Sequence, residues 1–199
     1  MKNKNAGVNS KLIHSGGFED LLGSATTPIY QTSTFKFKNA DHGAACFTGK
    51  EDGYIYTRIG NPTIKELENA LADLENGYGG IATSSGMGAI TTVYMAFLGQ
   101  GTHMVSHNAV YGPARGVMES LFSKFGVEYD YIDTTDIENV RKAIKPNTKL
   151  IYTETPANPT IGITDLQALA QLAHEYNIPL CVDNTFCSPY LQNPLDLGA

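Results

Sequence analysis

Residues Leu150–Asp183 read LIYTETPANPTIGITDLQALAQLAHEYNIPLCVD, and this stretch decides the fold. Leu150–Glu154 is a short apolar run of strand length, Asp165–Tyr176 carries a helical apolar pattern, and Leu180–Val182 is a second short strand. Strand, helix and strand at this spacing make a βαβ unit, which requires the two strands to run parallel. Outward from it the same alternation repeats. Strands are predicted near Gly80–Thr83, Thr102–Ser106 and Val127–Ile132, with helices through Ile90, Val93, Tyr94 and Phe97, near Ala114–Phe125 and near Ile137–Ile144. Such a series predicts an α/β fold with a mostly parallel sheet, whose ligands gather outside the C-terminal ends of the strands.

Upstream, Asn61 is suited to cap a helix and Pro62 to its first turn, and Ile64, Leu67, Leu71 and Leu74 form an apolar stripe ended by Gly77. Residues 1–60 are rich in Gly, Ser, Thr and Asn with little amphipathic period, and read as an extended N-terminal arm. The division expected from sequence is therefore an arm over 1–60 and an α/β domain over 61–199.

The chain has 199 residues, 42% hydrophobic and 17% charged, enough for one sizeable core. A net charge of -6 with dispersed lysines provides no basic stripe for DNA or RNA. No apolar run reaches the roughly 18–20 residues of a membrane span. The start, Met1-Lys2-Asn3-Lys4-Asn5, leads into polar residues and not into a signal-peptide core, so a cytoplasmic location is expected. Cys46, Cys181 and Cys187 are odd in number and lack CxxC spacing, which argues for free thiols and against a disulfide framework or zinc. His103 and His107 bracket a strand and share no helical face that would pair them as ligands, and no metal is expected.

Several motifs fall at the strand ends. Thr83-Ser84-Ser85-Gly86-Met87-Gly88-Ala89 joins a strand to a helix, where small residues let backbone N–H groups approach a phosphate. Read alone, the same turn serves tight packing equally well. It lacks the Gly-Lys-Ser/Thr ending of a Walker loop and the third glycine of a dinucleotide fingerprint. Tyr56 and Arg58, two apart on a segment read as extended, would point to one side and grip one phosphate, or pack by their stems. Tyr111, after the Thr102–Ser106 strand, offers a ring for stacking on a planar cofactor and a hydroxyl for proton transfer, though a structural tyrosine fits there too. Asn158, in a loop stiffened by Pro156 and Pro159, can hydrogen-bond a phenolic oxygen or simply form an Asn-Pro turn. Asp183, in Val182-Asp183-Asn184-Thr185, can pair with a protonated pyridine nitrogen or cap a loop.

Taken with Ile13-His14-Ser15-Gly16 and Thr27-Pro28-Ile29-Tyr30-Gln31-Thr32-Ser33-Thr34-Phe35, these motifs in this order resemble the cysteine/methionine-metabolism family of pyridoxal-phosphate (PLP) enzymes. The resemblance runs over nearly the whole chain. It implies a PLP-dependent transferase-like (fold type I) large domain preceded by the arm. It implies further that Asp183 holds the pyridine nitrogen, Tyr111 stacks on the ring and Asn158 addresses the ring oxygen. Ser85, Gly86 and Met87 would bind phosphate, Thr185 would belong to the cofactor site, and Tyr56 and Arg58 would reach a neighbouring subunit's phosphate. The expected assembly is then an obligate homodimer with shared sites, usually paired into a tetramer.

In this family the cofactor-bearing lysine lies in a Ser-x-Thr-Lys motif roughly ten residues beyond an Asp-Leu-Gly-Ala like Asp196–Ala199. The sequence contains no such motif, so it reads as the N-terminal portion of a longer enzyme, inactive by itself. The activity implied is a carbon–sulfur lyase reaction on a small sulfur amino acid, closest in look to γ-elimination of L-methionine, with Tyr111 protonating the leaving sulfur. Pro113 stands where many methionine-cleaving relatives carry a cysteine, which keeps cystathionine gamma-lyase, cystathionine gamma-synthase and O-acetylhomoserine sulfhydrylase activities open. Outside the family, a nucleotide-binding module and a short non-catalytic assembly protein are the alternatives.

Overall fold

The computed structural model describes residues 6–17 and 20–199; the polar start at Met1–Asn5 lies outside them. The chain divides into two compact units, Met1–Ala82 and Thr83–Ala199.

The second unit holds the sheet. Four strands, β1 (His103–His107), β2 (Glu128–Ile132), β3 (Thr148–Glu154) and β4 (Leu180–Asp183), are all parallel and lie in the order β2-β1-β3-β4. They match the expected strands to within two residues at most ends. The connecting helices are α5 (Gly112–Ser120), α6 (Ile137–Ala143) and α7 (Leu166–Glu175), while α4 (Gly86–Phe97) precedes β1 and α8 (Ser188–Leu191) follows β4. The helix expected over Ala114–Phe125 is α5 followed by a 3₁₀ turn at Phe122–Phe125. Gly126 ends that turn in the left-handed region at φ 76°, which glycine adopts without strain.

Parallel strands need cover on both faces, and the sequence supplies it in two apolar clusters. On one face Ile90 and Tyr94 of α4 and Ala114 and Met118 of α5 pack with Met104, Leu150 and Tyr152. On the other, Val140 of α6 and Leu169, Leu172 and Ala173 of α7 pack with Val105 and Ile151. Alternation along β3 sends Tyr152 to the first face and Ile151 to the second, as the two-residue strand period requires. Asp165 caps α7 by accepting a hydrogen bond from the Ala168 N–H at 3.0 Å. Below the 155–164 loop lies a buried polar knot, in which Thr134 Oγ1 sits 3.0 Å from His107 Nδ1, 3.1 Å from Thr153 Oγ1 and 2.8 Å from Thr164 Oγ1. Both histidines of β1 are thus engaged in the interior, His103 through Thr148 Oγ1 at 2.8 Å.

The first unit contains α1 (Val8–His14), α2 (Ala40–Phe47) and α3 (Pro62–Leu74). Two helices therefore interrupt the segment expected to be extended, and Asn39 nucleates α2 by accepting from the His42 N–H at 2.8 Å. α3 begins as predicted, with Asn61 Oδ1 accepting from the Thr63 N–H at 2.9 Å. The strand expected over Gly80–Thr83 is absent: among the described residues nothing forms a ladder with it. Instead the segment is tied to α3, with Ala82 N–H donating to Glu68 Oε1 at 3.0 Å. Gly80 approaches so closely that a Cβ there would lie 2.7 Å from the Glu68 carbonyl oxygen. No helix among the described residues is long and apolar enough to cross a membrane.

Candidate active site

The strand order reverses between β1 and β3, which leave in opposite directions to β2 and β4; at such a switch point the loops beyond the strand ends part and leave a crevice. The loops leaving β1 and β3 carry Tyr111 and Asn158. β3 and β4 end in register, Glu154 beside Asp183, so these two carboxylates project from the same face of the sheet. Tyr152 and Cys181, paired one pleat earlier, share that face.

Asp183 is half-buried and held from two sides. Its Oδ1 accepts from the Thr185 N–H at 3.1 Å and from the Thr185 hydroxyl at 2.5 Å, and its Oδ2 accepts from the Tyr152 hydroxyl at 3.2 Å. Tyr152 is 1% exposed, and burial first, then the Asp183 charge, pushes its phenol far above the ordinary tyrosine range. It therefore acts here as a fixed donor. Burial likewise pushes the neighbouring Cys181 thiol up to about 11. Thr185, expected at the cofactor, directs its hydroxyl hydrogen to Asp183.

Glu154 is 5% exposed and bridges the loops that leave β1 and β3. Its Oε2 accepts from the Tyr111 N–H at 2.6 Å and its Oε1 from the Asn158 N–H at 3.0 Å. Burial raises its carboxyl above the usual range, and the two N–H donors act against that rise. Tyr111 stands at the N-cap position of α5 without a side-chain cap and is 43% exposed.

Ser85 caps α4, its hydroxyl accepting from the Gly88 N–H at 3.0 Å. α4 spans about 18 Å at 1.5 Å per residue and joins β1 through a short link. It therefore runs back along the sheet, with its N-terminus toward the strand C-terminal ends. Gly86 and Met87 are its first two residues, whose N–H groups have no intrahelical acceptor, and the space where a Gly86 Cβ would stand is open. The Met87 side chain packs into the first apolar cluster, so what it offers a ligand is its backbone.

Tyr56 and Arg58 belong to the first unit. Phe35 N–H donates to the Ile55 carbonyl at 3.2 Å and Thr57 N–H to the Ser33 carbonyl at 2.9 Å, a short antiparallel bridge that sets Thr34 opposite Tyr56. The extended reading holds only as far as Tyr56. There the chain turns, the N–H groups of Ile59 and Gly60 both reaching the Tyr56 carbonyl at 2.8 and 3.1 Å. The turn, not strand alternation, lays the Arg58 guanidinium over the Tyr56 ring, 5.4 Å from its centroid. Both side chains line an open groove of about 540 Å³ between residues 30–33 and 56–58.

The structure thus gathers Tyr111, Asn158, Asp183, Thr185 and the Ser85–Met87 turn within the second unit. Tyr152 and Glu154 had no assigned role in the sequence reading. Their signal was a tyrosine and a glutamate two residues apart at the end of a buried strand.

Residues 9–199 match the family described as Cys/Met metabolism PLP-dependent enzyme. The chain is 48% identical over 196 residues to an L-methionine gamma-lyase of Treponema denticola, covering 97% of this chain and 49% of that protein. It is 45% identical over 189 residues to a cystathionine gamma-lyase of Bacillus subtilis, covering 94% and 48%. The crystal structure of metB from Corynebacterium glutamicum superposes with a TM-score of 0.90 at 45% identity, over 98% of this chain and 49% of that one. The chain spans about half the length of the curated relatives it matches. With the parallel sheet, the strand-end carboxylate and a match over most of its length, the chain belongs to the Cys/Met metabolism PLP-dependent enzyme family.

Proposed function

We propose that the protein carrying this chain is a PLP-dependent carbon–sulfur lyase that removes the γ-substituent of L-methionine, yielding methanethiol, 2-oxobutanoate and ammonia. The observation that carries this reading is Tyr111 and Asn158 on the two loops at the switch point, with Asp183 at the neighbouring strand end, in a chain so similar to an L-methionine gamma-lyase. The residues present fit PLP. Asp183 is held as an acceptor with lone pairs to spare for a pyridine nitrogen, and the free N–H groups and open space at the start of α4 suit a phosphate.

PLP, when bound, supplies an electron-accepting ring that acidifies the substrate Cα–H. Asp183 would hold the ring nitrogen protonated, and Tyr152 and Thr185 keep Asp183 oriented. Asn158 would hold the ring oxygen and Tyr111 the ring face, and the Tyr111 hydroxyl would supply a proton for the departing sulfur. Gly86 and Met87 hold the phosphate through their backbone. Tyr56 and Arg58 bind the phosphate of a second copy of the chain, which makes the assembly an obligate dimer. The apolar residues left exposed on the first unit support this assembly.

A second reading, cystathionine cleavage, is favoured by Pro113 after Tyr111-Gly112 and by the nearly equal likeness to the Bacillus subtilis cystathionine gamma-lyase. The test is to purify the full protein and assay L-methionine, L-cystathionine and O-acetyl-L-homoserine with sulfide. A yellow protein with the highest kcat/KM on methionine is expected. Preference for cystathionine would install the second reading, and a colourless protein that stays inactive with added PLP would remove both.

A further inference from the structure

We propose that Glu154 is a positioning residue: its one carboxylate, gripping the backbone N–H groups of Tyr111 and Asn158, sets the width of the slot between the ring-stacking tyrosine and the ring-oxygen asparagine. This rests on the cofactor reading above. Tyr111 and Asn158 sit on separate loops, beyond β1 and β3, which part at the switch point. The two carboxylate oxygens, at 2.6 and 3.0 Å from the two amide nitrogens, join those loops through a single rigid planar group.

The chemistry explains why a glutamate stands there. Two N–H donors face the group, and only an ionised carboxylate offers an acceptor to each; a glutamine would accept from one and turn an NH₂ toward the other. Burial disfavours that charge, and so does the charge of Asp183 beside it. A residue selected for packing alone would be apolar at the end of a buried strand. The loop carrying Asn158 is also closed upon itself, Ala157 N–H donating to the Gly162 carbonyl at 3.0 Å, so fixing one amide fixes the loop.

The test uses the full protein and its Glu154→Gln and Glu154→Asp variants. In the cofactor-free protein, amide exchange at Tyr111 and Asn158 is read residue by residue; both should be protected. Exchange should quicken about tenfold or more in Glu154→Gln at the amide that the NH₂ then faces, the loss expected for a hydrogen bond to a charged group, while the other amide keeps an acceptor. Glu154→Asp keeps the charge, is one methylene shorter and should release one of the two. In the holoprotein, Glu154→Gln should lower kcat by about ten- to hundredfold, as misplaced groups do, with a smaller change in KM and an altered visible circular dichroism of bound PLP. Unprotected amides in the unmutated protein would overturn the proposal whether or not the variants fold. So would unchanged exchange in a folded variant, or released amides with kcat within twofold of the parent. Failure of the unmutated protein to take up PLP would sink the cofactor reading instead, while the cofactor-free exchange would still report on the clamp.

Discussion

The two units bury their apolar residues differently. In Thr83–Ala199 both apolar clusters close over a parallel sheet, and Leu150, Ile151, Leu169 and Met118 are fully buried. In Met1–Ala82, among the described residues, the buried apolar set is Cys46 and Ala72, while Ile64, Leu67 and Leu71 of α3 stay between 39% and 51% exposed. Yet α3 carries the cleaner stripe in sequence. An amphipathic period states which face of a helix seeks cover and leaves the covering surface unspecified. For α7 the cover is the chain's own sheet; for α3 the dimer proposed above would supply it.

The largest expected effect tests this contrast directly. Leu169→Ala should destabilise the protein by about 2–5 kcal/mol, a full cavity cost, as read from the urea midpoint. Leu67→Ala should cost the monomer under about 0.5 kcal/mol, as surface substitutions do, and loosen self-association in sedimentation velocity. Equal destabilisation by the two with unchanged assembly would erase the distinction.

Next in size is a test of division of labour. Arg58→Ala subunits and Asp183→Asn subunits should each be nearly inactive, because one lacks the phosphate grip and the other the nitrogen partner. Mixed dimers should regain activity at the site built from the intact halves. No recovery in verified mixed dimers would return Arg58 to its own subunit's site.

A third measurement reports on the dryness of the second unit. With the Cys181 thiol pushed up to about 11 by burial, it is neutral at pH 8, and iodoacetamide should leave it unmodified in the folded protein, with labelling rising only as pH approaches 11. Peptide mass spectrometry reads this. Rapid labelling at pH 8 would show that the face shared by Tyr152 and Asp183 is wet.

The smallest effect lies at the opposite end of the sheet. Lys145 Nζ stands 2.9 Å from Asp130 Oδ2, and that hydrogen bond holds the Asp130 carboxyl below its usual range. A depressed acid adds stability above its unfolded pKa of about 3.9 and loses it as pH falls through the folded value. Both partners are over a third exposed, so Lys145→Met should cost under about 1 kcal/mol at pH 7. The difference should fade below pH 4.

Much of the second unit was legible from residue pattern. Short buried strands and capped helices signal themselves locally, and α7 begins where Asp165 supplies an oxygen to its first turn. One misreading is a local pattern settled by a distant partner, and another is an extended reading cut short by a turn among near neighbours. Gly80–Thr83 has strand composition, but Glu68 accepts the Ala82 N–H and, among the described residues, no strand lies alongside it. Tyr56 and Arg58 share a side as expected, though through a turn closed on the Tyr56 carbonyl.

Asp183 shows where the boundary falls. Its place at a strand end, the alternation of strands and helices and the order of the motifs were determined by the sequence itself, because period and capping act over a few residues. The grip of Tyr152 on that carboxylate, and of Glu154 on Tyr111, was decided only in the tertiary structure. Those contacts need strands far apart in the chain to lie side by side in one register, and no local preference encodes that register.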